Sequence, residues 1–217
     1  MSTVKASNGN SFAKRWKALS GENEWKDLLD PLDIDLRRYV IHYGERAGAI
    51  GDAFISETKS KNCGLSRYPE DGFFGFVGLE KGNPYKYEVT AFVYAAYGEG
   101  ASDKVFKTSE APDAAARGSN CVGYVAVATD EGKKAMGRRD ILVVWRGSML
   151  EGDWIADFDF ELVPGKDILG SAHNPMVHKG WYTLYTATNN TEYNRTSARE
   201  QVTFTGNNLY TENGPFT

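Results

Sequence analysis

The chain contains the stretch Ile141-Leu142-Val143-Val144-Trp145-Arg146-Gly147-Ser148, an unbroken apolar run that ends in Arg-Gly-Ser. Five consecutive apolar residues favour a strand that is buried on both faces of a sheet. Residues 122–128 form a second run of the same kind. The connection between the two runs starts with the turn-forming residues 129–132, so we expect antiparallel pairing without a helical crossover.

Working outward from these strands, a further strand is expected over residues 87–94. A helix is expected to open at Asp33, an N-cap candidate, because apolar residues then recur every three or four positions as far as Phe54. After the third strand the pattern favours a short helix over 151–157, an extended segment over 158–163 and a helix over 181–187. Residues 1–15 are polar and expected to be disordered.

Near the end of the chain, Ser197 and Glu200 have the spacing of a capping box, which marks the start of a helix. The β-branched run that begins at Thr203 and leads to Gly206 predicts that this helix stops after about five residues. Either the chain closes with a short helix and a loose tail, or the sequence changes character near Val202 because the protein is cut short there.

The composition excludes several classes of protein. Lys and Arg number 25 and Asp and Glu 29, which gives a net charge of −4, so the broad basic face of a nucleic-acid binder is not expected. No apolar run approaches the ~20 residues that span a bilayer, and the first ten residues carry no secretory or transit signal. The expected location is the cytosol.

No metal or cofactor site is expected. Cys63 and Cys121 lack the spacing of metal ligands, and so do the three histidines, His42, His173 and His178. None of the serines stands in Gly-x-Ser-x-Gly, the turn that exposes the nucleophile of many hydrolases.

The Arg-Gly-Ser that ends the third strand has two interpretations. Backbone N–H groups and a hydroxyl that follow a buried strand can stabilise developing negative charge on a ligand. Alternatively, Gly147 forms a turn and Ser148 caps the helix expected over 151–157. The pattern alone favours the second.

From residue 16 to about residue 202 the sequence resembles the plant phospholipase A(1) type II group of the lipase class 3 family. The resemblance includes Trp145-Arg146-Gly147-Ser148 and Val177-His178-Lys179-Gly180-Trp181. The other matching stretches are residues 19–21, 25–33, 36–39, 82–84, 86–90, 123–130, 137–141, 157–160 and 196–201.

The resemblance implies an α/β-hydrolase fold and hydrolysis of the sn-1 acyl ester of phospholipids. It implies that Ser148 is the oxyanion-hole residue and that residues 149–157 form a lid with Trp154 and Ile155 facing lipid. His178 is expected to be structural. The substrate would be a phospholipid or another acyl lipid.

The sequence departs from the family after the helix opened by Ser197. Members continue into a strand and Gly-His-Ser-Leu-Gly, whereas here Gly206 is followed by Asn207-Asn208-Leu209, and no Ser-Asp-His triad is evident. We therefore expect an incomplete α/β-hydrolase, with residues 16–202 as the amino-terminal part of the domain and 203–217 as a divergent tail.

This departure leaves two functions open. The chain is either a phospholipase A(1) that is inactive in the form of these 217 residues, or a non-catalytic lipase-like protein that binds lipid or a partner. An open sheet edge would favour self-association.

Overall fold

The computed structural model describes residues 11–96, 118–149 and 160–213. Helices and strands are mixed along this part of the chain, as expected for an α/β protein. In chain order they are α1 (Ser11–Leu19), α2 (Ile34–Ala53), α3 (Phe73–Phe76), β1 (Tyr87–Ala96), β2 (Ser119–Ala128), α4 (Asp130–Met136), β3 (Ile141–Trp145), β4 (Leu162–Pro164), α5 (Lys166–Leu169), β5 (Met176–His178), α6 (Lys179–Thr186) and α7 (Ala198–Asn213).

The main sheet of the described residues has the strand order β1-β2-β3, and both pairs are antiparallel. The predicted antiparallel pairing of the two apolar runs is confirmed, with Val125 opposite Val143. At Gly123 a Cβ atom would lie 2.1 Å from the carbonyl oxygen of Val144, so only glycine lets β2 approach β3 this closely. Strands β4 and β5 form a separate hairpin.

Helices cover both faces of the main sheet. On one face α2 and α3 pack against β1 and β2 through a core that includes Ile50, Phe73 and Tyr124, each at most 1 % exposed. On the other face Val93 and Val125 contact Ala198 at the start of α7, together with side chains from α6. Strand β2 is therefore buried on both faces, as predicted.

Strand β3 is not buried on both faces, and that prediction is wrong. Leu142 and Val144 face the core, but Val143 and Trp145 are 44 % and 43 % exposed. The reason is position: β3 is an edge strand in the described sheet, and helices α6 and α7 cover its outer face only in part. Periodicity cannot separate an apolar run in mid-sheet from one at an edge.

Helix α2 agrees with the sequence prediction. The carboxylate of Asp33 accepts hydrogen bonds from the backbone N–H groups of Asp35 and Leu36, which caps the helix, and Phe54 is its C-cap.

The connection between β2 and β3 contains the helix α4, capped by Thr129, where only a turn was expected. The short helix expected over 151–157 lies outside the described residues.

The capping box at the start of α7 is confirmed, since Ser197 N–H donates to Glu200 at 2.8 Å and Glu200 N–H donates to Ser197 Oγ at 3.2 Å. The predicted stop after about five residues is wrong. The helix continues to Asn213, and within it Thr203 and Thr205 each donate a hydroxyl hydrogen bond to the carbonyl four residues earlier.

The amino-terminal boundary also shifts. Residues 11–15, expected to be disordered, form the first turns of α1, and Phe12 is buried against Tyr39 and Tyr85. Arg15 pairs with Asp33 and Asp35 and so ties α1 to the start of α2.

A partly buried polar cluster joins α2 to the sheet. Asp140 accepts hydrogen bonds from the hydroxyls of Tyr43 at 2.8 Å and Tyr87 at 2.7 Å, and Arg138 forms an ion pair with it. Burial and the neighbouring Asp140 raise the pKa of both tyrosines, which stay protonated donors. His42 adds a contact between Nε2 and the Tyr87 hydroxyl at 3.1 Å.

No helix in the described part of the chain is both long and apolar enough to cross a membrane.

Candidate functional site

The site is built at the carboxyl end of β3, where Arg146 holds the chain to β2. The backbone N–H of Arg146 donates to the carbonyl of Val122 at 2.6 Å, and its Nε donates to the carbonyl of Cys121 at 3.1 Å. The guanidinium lies 4.0 Å from the ring centre of Phe54, a cation–π distance. These contacts fix the point at which the chain leaves the sheet.

Arg146 also orients the next peptide group. Its Nη1 donates to the carbonyl oxygen of Gly147 at 2.8 Å. The Gly147–Ser148 peptide is trans, so its C=O and N–H point in opposite directions. Arg146 therefore directs the N–H of Ser148 away from its own guanidinium.

A cavity of about 790 Å³ adjoins this turn. Its polar lining is Arg146, Gly147 and Ser148, which are consecutive in the chain. The apolar lining comes from β2, β3, α5, β5, α6 and α7 and consists of Val122, Val143, Trp145, Ile168, Leu169, Val177, Trp181, Leu184, Tyr185 and Val202. The space thus combines a long apolar wall with a single polar end.

Helix α6 supplies the wall that faces β3. Trp181, Leu184 and Tyr185 stand at positions i, i+3 and i+4, one face of a helix. The Tyr185 ring meets the Trp145 ring edge to face, with the ring centres 5.9 Å apart. Sequence reasoning missed these residues, although their spacing is visible in the predicted helix over 181–187.

His178 is the N-cap of α6, because its Nδ1 accepts from the backbone N–H of Trp181 at 3.4 Å. This is consistent with the structural role expected for it. The same contact orients the helix that carries Trp181 toward the cavity.

The remaining candidate residues lie elsewhere. His42 is buried beside Tyr87, and desolvation, with Arg46 and Arg138 nearby, lowers its pKa to about 3. Burial raises the pKa of the Cys121 thiol to about 12, so the thiol is neutral. Within the described ranges no group of three His, Cys, Asp or Glu side chains is arranged to hold a metal ion. Trp154 and Ile155, expected to face lipid, are outside the described residues.

A second cavity, of about 620 Å³, lies between α2 and residues 78–85. Its lining carries charges of both signs, among them Asp35, Arg38, Glu45 and Lys81. It does not include the Arg-Gly-Ser turn, and nothing in its lining separates a polar end from an apolar wall.

Comparison with known proteins gives one family and a set of close relatives. Residues 142–214 match the lipase (class 3) family. The chain is 46 % identical over 196 residues to phospholipase A1-II 6 of rice, and the aligned residues cover 89 % of this chain and 47 % of the relative. It is 45 % identical over 195 residues to phospholipase A1-IIbeta of Arabidopsis thaliana, covering 88 % and 47 %. The chain therefore spans about half the length of the curated relatives it matches.

Proposed function

Because the chain belongs to the lipase class 3 family, we propose that it supplies the acyl-binding part of a phospholipase A1, an enzyme that hydrolyses the sn-1 acyl ester of phospholipids. The names of its relatives support this activity. The observation that carries the proposal is the apolar cavity that ends at the Arg146–Ser148 turn, because an acyl ester needs an apolar site for the chain and donors beside the ester carbonyl.

In this proposal the Ser148 N–H and hydroxyl stabilise the oxyanion that forms when the ester carbonyl is attacked. Donors fixed in advance at that position act without reorganisation during the reaction. Arg146 fixes the peptide group by holding the Gly147 carbonyl. The fold that we propose is an α/β-hydrolase, of which the three described strands of the main sheet form a part.

The nucleophile is a separate matter. No serine among the 217 residues stands in Gly-x-Ser-x-Gly. A serine hydroxyl is a weak nucleophile unless a neighbouring base activates it. We infer that these 217 residues by themselves do not hydrolyse phospholipids, and that what they supply is the oxyanion turn and the acyl-binding wall.

A chimera tests the activity. In it, this chain replaces the matching segment of the rice phospholipase A1-II 6 relative, and the substrate is a phosphatidylcholine with different acyl chains at sn-1 and sn-2. We expect release of the sn-1 acid, because the relative provides what these residues lack. Ser148→Pro in the chimera, which removes the backbone donor, lowers kcat by about 10²- to 10³-fold. A folded chimera that releases no fatty acid, or mainly the sn-2 acid, contradicts the proposal.

The 217-residue chain is tested alone with a fluorophosphonate probe, which labels activated serines. We expect no labelled serine and no fatty acid released from phosphatidylcholine. Labelling of one serine would overturn the inference that these residues lack a nucleophile, and it would identify that nucleophile.

We also propose a cytosolic location. Cys63 and Cys121 are buried and are not joined by a disulfide, which suits a reducing compartment. A fluorescent fusion of the chain with diffuse cytosolic signal supports this location, and signal confined to an organelle contradicts it.

A further inference from the structure

Helices α1 and α4 meet where Ala13 lies against Gly137. A Cβ atom at Gly137 would lie 2.8 Å from the Cβ of Ala13, so the two backbones approach closely there. On α1, Lys17 follows Ala13 by four positions, and on α4, Lys133 and Lys134 precede Gly137 by four and three. Because residues three or four positions apart share one face of a helix, these three lysines flank the contact.

A fourth lysine and a tryptophan extend this surface along α1. Lys14 lies three positions before Lys17, and all four lysine side chains are exposed. Trp16 is half-buried and carries two cations, since Lys17 Nζ lies 5.8 Å and the Arg138 guanidinium 5.0 Å from its ring centre. We call the four exposed lysines, Lys14, Lys17, Lys133 and Lys134, the lysine patch.

The charge of the lysine patch is not neutralised from within residues 11–96, 118–149 and 160–213, where none of the four lysines forms an ion pair. Carboxylates on the adjoining elements pair with arginines instead. They are Asp33 and Asp35 with Arg15, Asp130 with Arg139, and Asp140 with Arg138. The patch is therefore a local surplus of positive charge on a chain whose net charge is −4.

The lysine patch and the apolar cavity lie at opposite ends of β3. Helix α4 precedes Ile141, the first residue of this strand, and the Arg146–Ser148 turn follows Trp145, the last. A strand of this length spans about 17 Å. The cavity is walled by α6 and α7 on one face of the sheet, whereas α1 packs against α2 on the other side. A lipid surface that faces the cavity would therefore not reach the patch, and the patch needs a different partner.

We propose that the lysine patch binds an acidic segment of another protein. Carboxylates of that segment pair with the four lysines, and an apolar side chain beside them packs on the exposed part of Trp16. Complementary charge speeds association and selects the partner, while a tryptophan at the centre of such a surface contributes packing. The proposal goes beyond the hydrolase proposal and uses no residue of the cavity, so either one can fail without the other.

A peptide of consecutive glutamates, labelled with fluorescein, is the probe, and the same peptide with glutamines is its control. We expect a saturable rise in anisotropy when the purified chain is added to the glutamate peptide. Binding should weaken at least about tenfold between about 20 and about 200 mM salt, because exposed charges are screened. Absence of binding to the glutamate peptide, or equal binding of the glutamine peptide, overturns the proposal.

Two double variants with the same change in net charge locate the binding surface. Lys17→Glu combined with Lys133→Glu should weaken binding at least about tenfold, since it replaces attraction by repulsion. Lys81→Glu combined with Lys166→Glu, at exposed positions outside the patch, should weaken it less than about twofold. Thermal unfolding verifies that both variants are folded. Equal weakening by the two folded variants shows that net charge alone governs binding and overturns the proposal.

Vesicles test the alternative of a membrane at the same surface. They consist of phosphatidylcholine and phosphatidylserine and are sedimented with the chain. We expect wild type and the Lys17→Glu, Lys133→Glu variant to sediment with them to the same extent, because the patch does not face the lipid. Sedimentation that this variant loses, and that the glutamate peptide prevents in wild type, assigns the patch to an anionic lipid surface and overturns the proposal of a protein partner.

Discussion

The guanidinium of Arg146 donates a hydrogen bond to the carbonyl oxygen of Gly147, the residue next to it in the chain, at 2.8 Å. The same guanidinium donates through Nε to Cys121 and lies over the ring of Phe54. One side chain thus holds the end of β3 against β2 and also sets the direction of the following peptide group.

Arg146→Lys tests this relationship. Lysine keeps the positive charge but lacks the planar set of donors that reaches Cys121 and Gly147 together. We expect the variant to lose about 2 kcal/mol in free energy of unfolding and to bind stearate, the acid of an acyl ester, about tenfold more weakly. Arg37→Lys, at an exposed position on α2, should change neither quantity. Wild-type affinity in Arg146→Lys would show that charge alone, and not peptide orientation, governs the site.

Asp140 accepts hydrogen bonds from the hydroxyls of the half-buried Tyr43 and the buried Tyr87, so its removal should be costly. Asp140→Ala leaves the Tyr43 and Tyr87 hydroxyls without their acceptor, and we expect a loss of about 3 kcal/mol in free energy of unfolding, measured with urea. Combining it with Tyr43→Phe and Tyr87→Phe should recover part of that loss. Asp52→Ala, an exposed position on α2, is the matched control. Equal stability of the two alanine variants would contradict the role of the cluster.

His42 makes stability depend on pH. Its folded pKa of about 3 lies below the ordinary value of 6.5, so between these pH values the unfolded chain binds more protons than the folded chain. The free energy of unfolding therefore falls as the pH is lowered, by up to about 2 kcal/mol between pH 7 and pH 5. His42→Gln should flatten this slope, and His173→Gln, at an exposed position, should not. Hydrogen bonds from Arg15 lower the pKa of Asp33 below its ordinary value of 3.8. The stability that this carboxylate contributes is therefore present above about pH 3.8 and is lost only as the pH falls below it.

The open edge of β3 predicts self-association. Among the described strands β3 pairs with β2 alone, and Val143 and Trp145 are exposed on it. Edges of this kind pair with other chains, and a lysine on the edge opposes such pairing. We propose that the 217-residue chain associates at micromolar concentration, that Val143→Lys shifts it toward monomer and that Val40→Lys on α2 does not. A wild-type chain that sediments as a monomer at all concentrations contradicts this proposal.

The elements best predicted from sequence are those whose signals are local. Asp33 caps α2 through its own neighbours, and the apolar runs at 122–128 and 141–145 form adjacent strands. The extent of α7 was not predictable in this way. The hydroxyls of Thr203 and Thr205 donate hydrogen bonds to carbonyls of the helix itself. The side-chain carbonyl oxygen of Gln201 accepts from the backbone N–H of Tyr94, more than a hundred positions earlier in the chain. Tertiary contacts of this kind override a local β-branched pattern.

The site was predictable only in part. The Arg-Gly-Ser that follows β3 is visible in the sequence, and the resemblance assigned Ser148 a role. The cavity wall was not visible, since it joins Val122 of β2 to Leu169, Trp181 and Val202, which come from three separate helices. The orientation of the Ser148 N–H depends on a hydrogen bond from Arg146, and no residue pattern specifies that contact.

A titration of the ¹⁵N-labelled chain with stearate, observed by NMR, tests most directly whether the Arg146–Ser148 turn is the polar end of an acyl site. We expect the Ser148 amide proton to move downfield as it donates to the carboxylate, with saturation at one equivalent, while the amide of Val40 stays unchanged. The same titration with octadecanol should leave the Ser148 amide in place. A Ser148 amide that does not respond to saturating stearate would show that this turn is not the polar end of an acyl site.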